Sequence, residues 1–391
     1  MKKCLLVLFC LLLLVGCSGG NSGGNEPEGE TSDVIVIGGS GPLTGGAAVY
    51  GNAVKNGAEI AVEEVNALGG LQFKLCFEDD EHNTEKAVTA FNVLMDEGMQ
   101  VGLSCTTSDP ATTTSPLYNE HGIFALTPSA SSPSVTLANA NDPNSYYGNV
   151  FQMCFTDPNL GTGAATYISA NSLGSKVAII WKNDDPYSTG IHEKFIVKAA
   201  EAGLEIVSDS TFDSSSAQDF SVQLIDAQSK GADLVFLPMY YDPASLILAQ
   251  ADQMGYKPLF FGVDGMDGIL ELEGFDKSLA EGVYLLTPFS ADAQDEKTVN
   301  FVKKFKEKTG EVPNQFAADA YDCVWAIYQA CVDNSVTGSM SPQEICDVLV
   351  KAFTSMSFEG VTGVSSWSAN GEVSKMPLAV IIKDGVYVSA E

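Results

Sequence analysis

Between Val34 and Gly262, short apolar runs alternate with stretches whose apolar residues recur every three or four positions. That alternation restricts the fold more than any other property of the chain. Val34 to Gly38 reads as a strand that passes through Gly38-Gly39-Ser40-Gly41-Pro42 into a helix. Val54, Ala58, Ala61, Val62, Val65 and Leu68 mark the helix, and Gly69-Gly70 ends it. Leu71 to Phe77 is the next strand, Thr84 to Glu97 a helix, Met99 to Leu103 a strand, Ala111 to Glu120 a helix and Ile123 to Thr127 a strand. The pattern restarts at Lys176. Val177 to Trp181, Leu204 to Val207, Leu234 to Leu237 and Leu259 to Gly262 read as strands, with helices over Ser188 to Ala202, Ala217 to Lys230 and Pro243 to Gly255. A mostly helical block runs from Asp295 to Ala352, and Pro377 to Val388 carries a strand pair around Asp384-Gly385. Such βαβ alternation implies parallel sheets with helices on both faces, here two doubly wound α/β lobes.

The segment before Val34 has another character. Lys2-Lys3 and an apolar run from Leu5 to Val15 make a secretory signal over residues 1–16. Its Leu14-Val15-Gly16-Cys17 ending resembles a bacterial lipobox, which makes Cys17 the lipidated first residue of the mature chain. Residues 17–32 then form the lipidated cysteine and a Gly/Ser/Asn/Glu tether. Roughly 360 residues follow the leader, more than one hydrophobic core sustains, so two lobes are expected. No second stretch is long and apolar enough to cross a membrane.

Charge removes several classes of function. The chain has 20 Lys+Arg against 50 Asp+Glu, and every basic residue is a lysine. Loss of Lys2 and Lys3 with the leader takes the formal charge from −30 to −32. Such a surface repels phosphate backbones and anionic lipids, so no nucleic-acid partner is expected. Without arginine no guanidinium fork can clamp an anion, which must then rest on hydroxyls, backbone N–H groups or helix N-termini.

Beyond the leader and Cys17 the cysteines are Cys76, Cys105, Cys154, Cys323, Cys331 and Cys346. None forms a C-x-x-C pair, and His82, His121 and His192 are scattered, so no metal site or other cofactor is expected. Cys76 and Cys105 lie on or just after neighbouring predicted strands, a placement compatible with a disulfide and equally with free buried thiols.

The glycine-rich turn at residues 38–42 is neither a dinucleotide fingerprint, since Pro42-Leu43-Thr44 lacks the third glycine, nor a P-loop, nor a nucleophile elbow. Glu78-Asp79-Asp80-Glu81 lacks calcium-loop spacing and reads as a solvated loop. No catalytic triad is visible, so the chain gives no positive signal for an enzyme. What remains is a set of polar and aromatic residues at the carboxyl ends of predicted strands. Thr106-Thr107-Ser108 and Thr127-Pro128-Ser129-Ala130-Ser131-Ser132 fall in the first half; Asp184-Asp185-Pro186-Tyr187, Tyr240-Tyr241 and Asp264 fall in the second. Open α/β sheets bind ligands at that edge. Hydroxyls and backbone donors suit a carboxylate, whereas Asp264 and the tyrosines suit an ammonium. Together they fit the two ends of an amino-acid zwitterion.

Over nearly the whole mature chain these residues resemble the substrate-binding lipoproteins of branched-chain amino-acid ABC transporters, which have the type I periplasmic binding protein fold. The most specific stretches are Gly41-Pro42-Leu43-Thr44 with Tyr50-Gly51, Asn66 to Gly70, Glu78-Asp79-Asp80, Gly122 to Pro133, Tyr187-Ser188-Thr189-Gly190, and Phe261 to Gly265. The resemblance implies that Thr106 places a hydroxyl on the ligand carboxylate, that Ser129 offers its carbonyl to the ammonium, and that Ser131 touches both. It also implies that Tyr50 packs over the ligand side chain, that Tyr187 and Tyr241 close from the second lobe, and that Asp264 pairs with the ammonium. Thr107, Ala130 and Tyr240 belong to the same set. Lobe 1 is expected over residues 33–153 and 289–355, lobe 2 over 154–288 and 356–391, joined by a three-strand hinge.

Three departures stand out. Asp264 replaces a glutamate of the family and Ser131 a threonine, which leaves the ligand side chain, or a related small amide or amine, open. The family's lobe-one disulfide matches Cys105, but its other cysteine follows the acidic run, which Cys76 precedes. The implied protein is a monomer on the outer face of a bacterial membrane, periplasmic in a diderm, handing an amino acid to an ABC permease. A tethered sensor for a receptor kinase or chemoreceptor is the alternative with the same fold. An extracytoplasmic hydrolase would need an activated nucleophile.

Overall fold

Strand β1 (Val34–Gly41) is buried along most of its length because helices cover both sides of its sheet. The computed structural model describes residues 33–139, 142–375 and 377–390, so Cys17, the leader and the tether lie outside the described residues. After β1 the chain forms α1 (Ala48–Ala67), β2 (Gln72–Asp79), α2 (Thr84–Asp96), β3 (Val101–Cys105), α3 (Ser108–Glu120), β4 (Phe124–Thr127) and β5 (Val150–Gln152). The five strands pair in parallel in the order β2-β1-β3-β4-β5.

The chain then crosses into a second lobe of α4 (Asp157–Ala170), β6 (Lys176–Lys182), α5 (Pro186–Ala202), β7 (Glu205–Phe212), α6 (Ser221–Ser229), β8 (Leu234–Leu237), α7 (Tyr241–Gln253), β9 (Leu259–Gly262) and β10 (Tyr284–Thr287). It returns to lobe 1 for α8 (Glu296–Thr309), α9 (Gln315–Asp333) and α10 (Pro342–Phe353), and makes the hairpin β11 (Ser357–Gly360) and β12 (Gly363–Ser366). The antiparallel pair β13 (Leu378–Lys383) and β14 (Val386–Ser389) completes the second sheet, ordered β14-β13-β10-β9-β8-β6-β7. Asp384 and Gly385 take φ of 52° and 72° in its two-residue turn, which the Asp-Gly pair favours.

Helices α8 and α9 pack on α1. Lys304 reaches Glu64, and Lys308 reaches Glu59 and Glu63. Gly57 of α1 lies so close to α9 that a Cβ there would come within 2.1 Å of the Ala317 carbonyl oxygen.

Residues 153–156 connect β5 to α4, residues 288–295 connect β10 to α8, and residues 367–375 follow β12. The third of these segments runs beside β5: Gln152 N–H donates to the Gly371 carbonyl at 2.9 Å, and Trp367 Nε1–H donates to the Gln152 carbonyl at 2.8 Å. Gly371 has φ of 84°, and a side chain there would strike the Val150 carbonyl. The β11–β12 hairpin packs on α9. Asp322 of α9 accepts the N–H groups of Val361 and Thr362 at 2.9 and 2.8 Å. The buried Lys375 of the third segment donates to Asp319 of the same helix at 2.9 Å.

The Cys76–Cys105 disulfide does not form. Cys76 pairs with Gly38 and Cys105 with Ser40 on opposite sides of β1, which therefore lies between them. Two strand spacings put the cysteines roughly 9 to 10 Å apart, beyond the reach of an S–S bond. Both are free buried thiols. Cys105 Sγ instead contacts the hydroxyls of Ser40 and Thr114 at 3.2 and 3.3 Å.

Candidate functional site

The parallel strands of each lobe present their carboxyl ends to the cleft, so residues far apart in sequence converge there. From lobe 1, Thr106 and Thr107 lie between β3 and α3, and Ser129 follows β4. From lobe 2, Tyr187 lies in the first turn of α5, Tyr240 precedes α7 and Asp264 follows β9. A small cavity between them is lined by Tyr50, Thr106, Thr107, Ser108, Ser129, Tyr187, Tyr240, Asp264, Gly265 and Phe316.

On the lobe 1 wall, Thr106 Oγ1 donates to the Ser40 carbonyl at 3.1 Å and Ser129 Oγ to the Thr106 carbonyl at 2.6 Å. Thr107 occupies the N-cap of α3 without capping it through its side chain; its Oγ1 lies 2.8 Å from His82 Nδ1. The N-terminal end of α3 therefore adds a partial positive charge to a wall of hydroxyls.

On the lobe 2 wall, Tyr187 Oη donates to Asp264 Oδ1 at 2.5 Å, and the Gly265 N–H reaches the same oxygen at 2.9 Å. Gln315 Nε2 fixes the loop by donating to the Asp264 carbonyl at 2.9 Å. Asp264 is 2 % exposed, and burial pushes its carboxyl up to about 7 against the opposing bonds from Tyr187 and Gly265. Asp157, wholly buried, carries a carboxyl also raised by burial, with Asp264 and Asp185 adding repulsion. The cavity thus sets the N-terminal end of α3 and the Thr107 hydroxyl on one wall against the Asp264 carboxyl on the other.

Tyr50 ties the walls together. Its Oη donates to the Gly265 carbonyl at 2.5 Å and accepts the Tyr241 N–H at 3.2 Å. Its ring stands 4.3 Å from Phe316 and 5.3 Å from Tyr240, centroid to centroid.

Of the residues expected from sequence, Tyr50, Thr106, Thr107, Ser129, Tyr187, Tyr240 and Asp264 reach the cavity wall. Ala130, Ser131 and Tyr241 are buried outside it. The Ala130 and Ser132 carbonyls are held by Gln152 Nε2, the Ser131 carbonyl accepts the Asp157 N–H, and Tyr241 Oη accepts the Val49 N–H at 3.3 Å. Phe316, which opens α9, gave no signal in the sequence. His82 appeared there only as one of three scattered histidines. Among the described residues no group of three or more His, Cys, Asp or Glu is arranged to hold a metal ion.

A bilobal receptor that closes over a small solute is the class of protein that this fold and cleft define. The chain belongs to the periplasmic binding protein family, whose sequence profile matches residues 34–384. It is 27% identical to Leu/Ile/Val-binding protein homolog 2 of Brucella abortus over 383 residues, 96% of this chain and 95% of that one. It is also 27% identical to the leucine-, isoleucine-, valine-, threonine-, and alanine-binding protein of Pseudomonas aeruginosa, over 89% of this chain and 90% of that one. The branched-chain amino acid transporter substrate-binding protein LivJ of Streptococcus pneumoniae, solved in complex with isoleucine, superposes with a TM-score of 0.81 at 27% identity, over 92% of this chain and 99% of that one. The family and these relatives are solute-binding receptors rather than enzymes, and membership implies an extracytoplasmic location.

Proposed function

We propose that this protein captures a small aliphatic α-amino acid between its lobes and delivers it to the permease of an ABC importer. The observation that carries this reading is the placement of the buried Asp264 carboxyl, oriented by Tyr187, across one small cavity from the Thr107 hydroxyl and the N-terminal end of α3. An ammonium against the Asp264 wall and a carboxylate against the α3 wall satisfy both without arginine. Tyr50, Phe316 and Tyr240 offer an aromatic surface to the ligand side chain. The names of the relatives point to leucine, isoleucine, valine and related side chains. Lobe 1 comprises residues 33–153 and 289–366, which includes the hairpin on α9, and lobe 2 the remainder of the folded chain. We take the mature protein to be a monomer held to the outer face of the membrane through lipidated Cys17.

Calorimetric titration with L-leucine, L-isoleucine, L-valine and L-alanine tests the reading, with glucose and the corresponding amines as controls. At least one amino acid should bind, and bind more tightly than its amine. Absence of binding by all four, with the protein folded, would overturn the assignment.

A further inference from the structure

Resting on the proposed amino-acid site, we propose that His82 is a positioning residue: its imidazole orients the Thr107 hydroxyl toward the ligand carboxylate and away from the helix end that it would otherwise cap. His82 Nδ1 lies 2.8 Å from Thr107 Oγ1, and Thr107 lines the cavity at the N-cap of α3. A threonine at an N-cap ordinarily turns its oxygen back onto the N–H groups of the first turn. Here the Thr107 side chain makes no such bond. With Nδ1 protonated, His82 donates to Oγ1, the hydroxyl hydrogen is free to face the cavity, and the helix N–H groups stay open to the same anion.

The loop is built to hold the ring in that place. His82 has φ of 55° and follows Glu81 at 50°, a left-handed pair unusual for side-chain-bearing residues. Its N–H donates to Asp80 Oδ1 at 2.9 Å, and Asp80, wholly buried, also accepts from Ser40 Oγ. On its other side the ring meets Tyr240 of lobe 2 edge-on, with centroids 5.6 Å apart, so the ring is seated by both lobes. Burial and the Lys182 ammonium hold the imidazole below its usual range, while Asp109 opposes them.

His82→Gly suits the left-handed backbone and deletes the ring. His82→Asn also tolerates that backbone and keeps a donor near the Nδ1 position while losing the contact with Tyr240. The probes are L-leucine and L-leucinamide, which lacks the carboxylate. Loss of a hydrogen bond to a charged group predicts about tenfold weaker L-leucine binding in His82→Gly, with His82→Asn within about threefold of the parent. L-leucinamide binding should change little in either variant, and Thr107→Val should add little to the loss in His82→Gly. If both ligands weaken equally, or if His82→Gly binds L-leucine like the parent, the positioning role is wrong. If the parent itself binds no amino acid, the proposed function fails instead.

Discussion

Asp264 sets the chemistry of the cleft because its carboxyl has lost water and gained only hydrogen-bond donors in return. An ammonium would supply the missing charge. Asp264→Asn preserves the shape and removes that charge, so binding of L-leucine should weaken by about 2 to 5 kcal/mol while the protein remains folded. Acid should mimic the substitution. With its carboxyl near 7 in the closed cleft, Asp264 is increasingly protonated below that pH, and the protonated form cannot pair with an ammonium. Parent affinity should therefore be higher at pH 8 than at pH 5.5, and the Asp264→Asn profile flatter over the same range. Titrations at the two pH values check this; parallel profiles would place the pH dependence elsewhere. Ser131 differs from Asp264 in having a buried hydroxyl without a hydrogen-bond partner, which leaves its part in binding an expectation.

At the scale of elements, the contact of α1 with α9 opposes two effects that can be compared. Alanine is the better helix former by roughly 1 kcal/mol, so Gly57→Ala would stabilise an isolated α1. In the protein the new methyl meets the Ala317 backbone, which cannot rotate away, and overpacking of this kind costs about 1 to 3 kcal/mol. Urea unfolding should find Gly57→Ala less stable than the parent, and a gain would mean that the helices separate freely. The strands and helices legible in the sequence were those with an unbroken period. Strand β7 was read short at Val207 because Ser208 to Thr211 are polar, yet it runs to Phe212 as an edge strand with one face in water. Strands β5 and β10 have only three and four residues, and α4 opens with Asp157-Pro158 followed by small residues that leave a weak apolar stripe. Of the two states left open for Cys76 and Cys105, the disulfide is excluded for a topological reason: β2 and β3 follow one another in sequence, but β1 lies between them in the sheet. The site was legible where it consists of strand ends. Phe316 was not, because it arrives from α9, whose place in the cleft depends on the chain having crossed between lobes twice.

The whole molecule stores acidic groups in its interior. Burial raises the carboxyls of Asp80 and Asp185 to about 6, Asp264 and Asp267 to about 7, and Glu271 to about 8. Each folded-state value exceeds that of the unfolded chain, so between roughly pH 4 and 8 the folded protein binds more protons, and stability falls as pH rises through that window. Repulsion within a chain of formal charge −30 acts in the same direction. The ligand-free protein should melt at a higher temperature at pH 5.5 than at pH 8, as calorimetric scans would show; a rising or flat trend would contradict this account. At the same scale, three segments connect the two lobes. Trp367, at the start of the third, bonds to the Gln152 carbonyl at the end of β5 and packs on Phe353 at 4.7 Å. Trp181 stacks on His192 in lobe 2, and Trp325 bonds to Glu64 within lobe 1, so neither spans the lobes. The protein therefore carries an intrinsic optical gauge at its pivot. With the other two indoles replaced by phenylalanine, the emission of Trp367 alone would report bending of the receptor, with no dye attached and no change to the cleft.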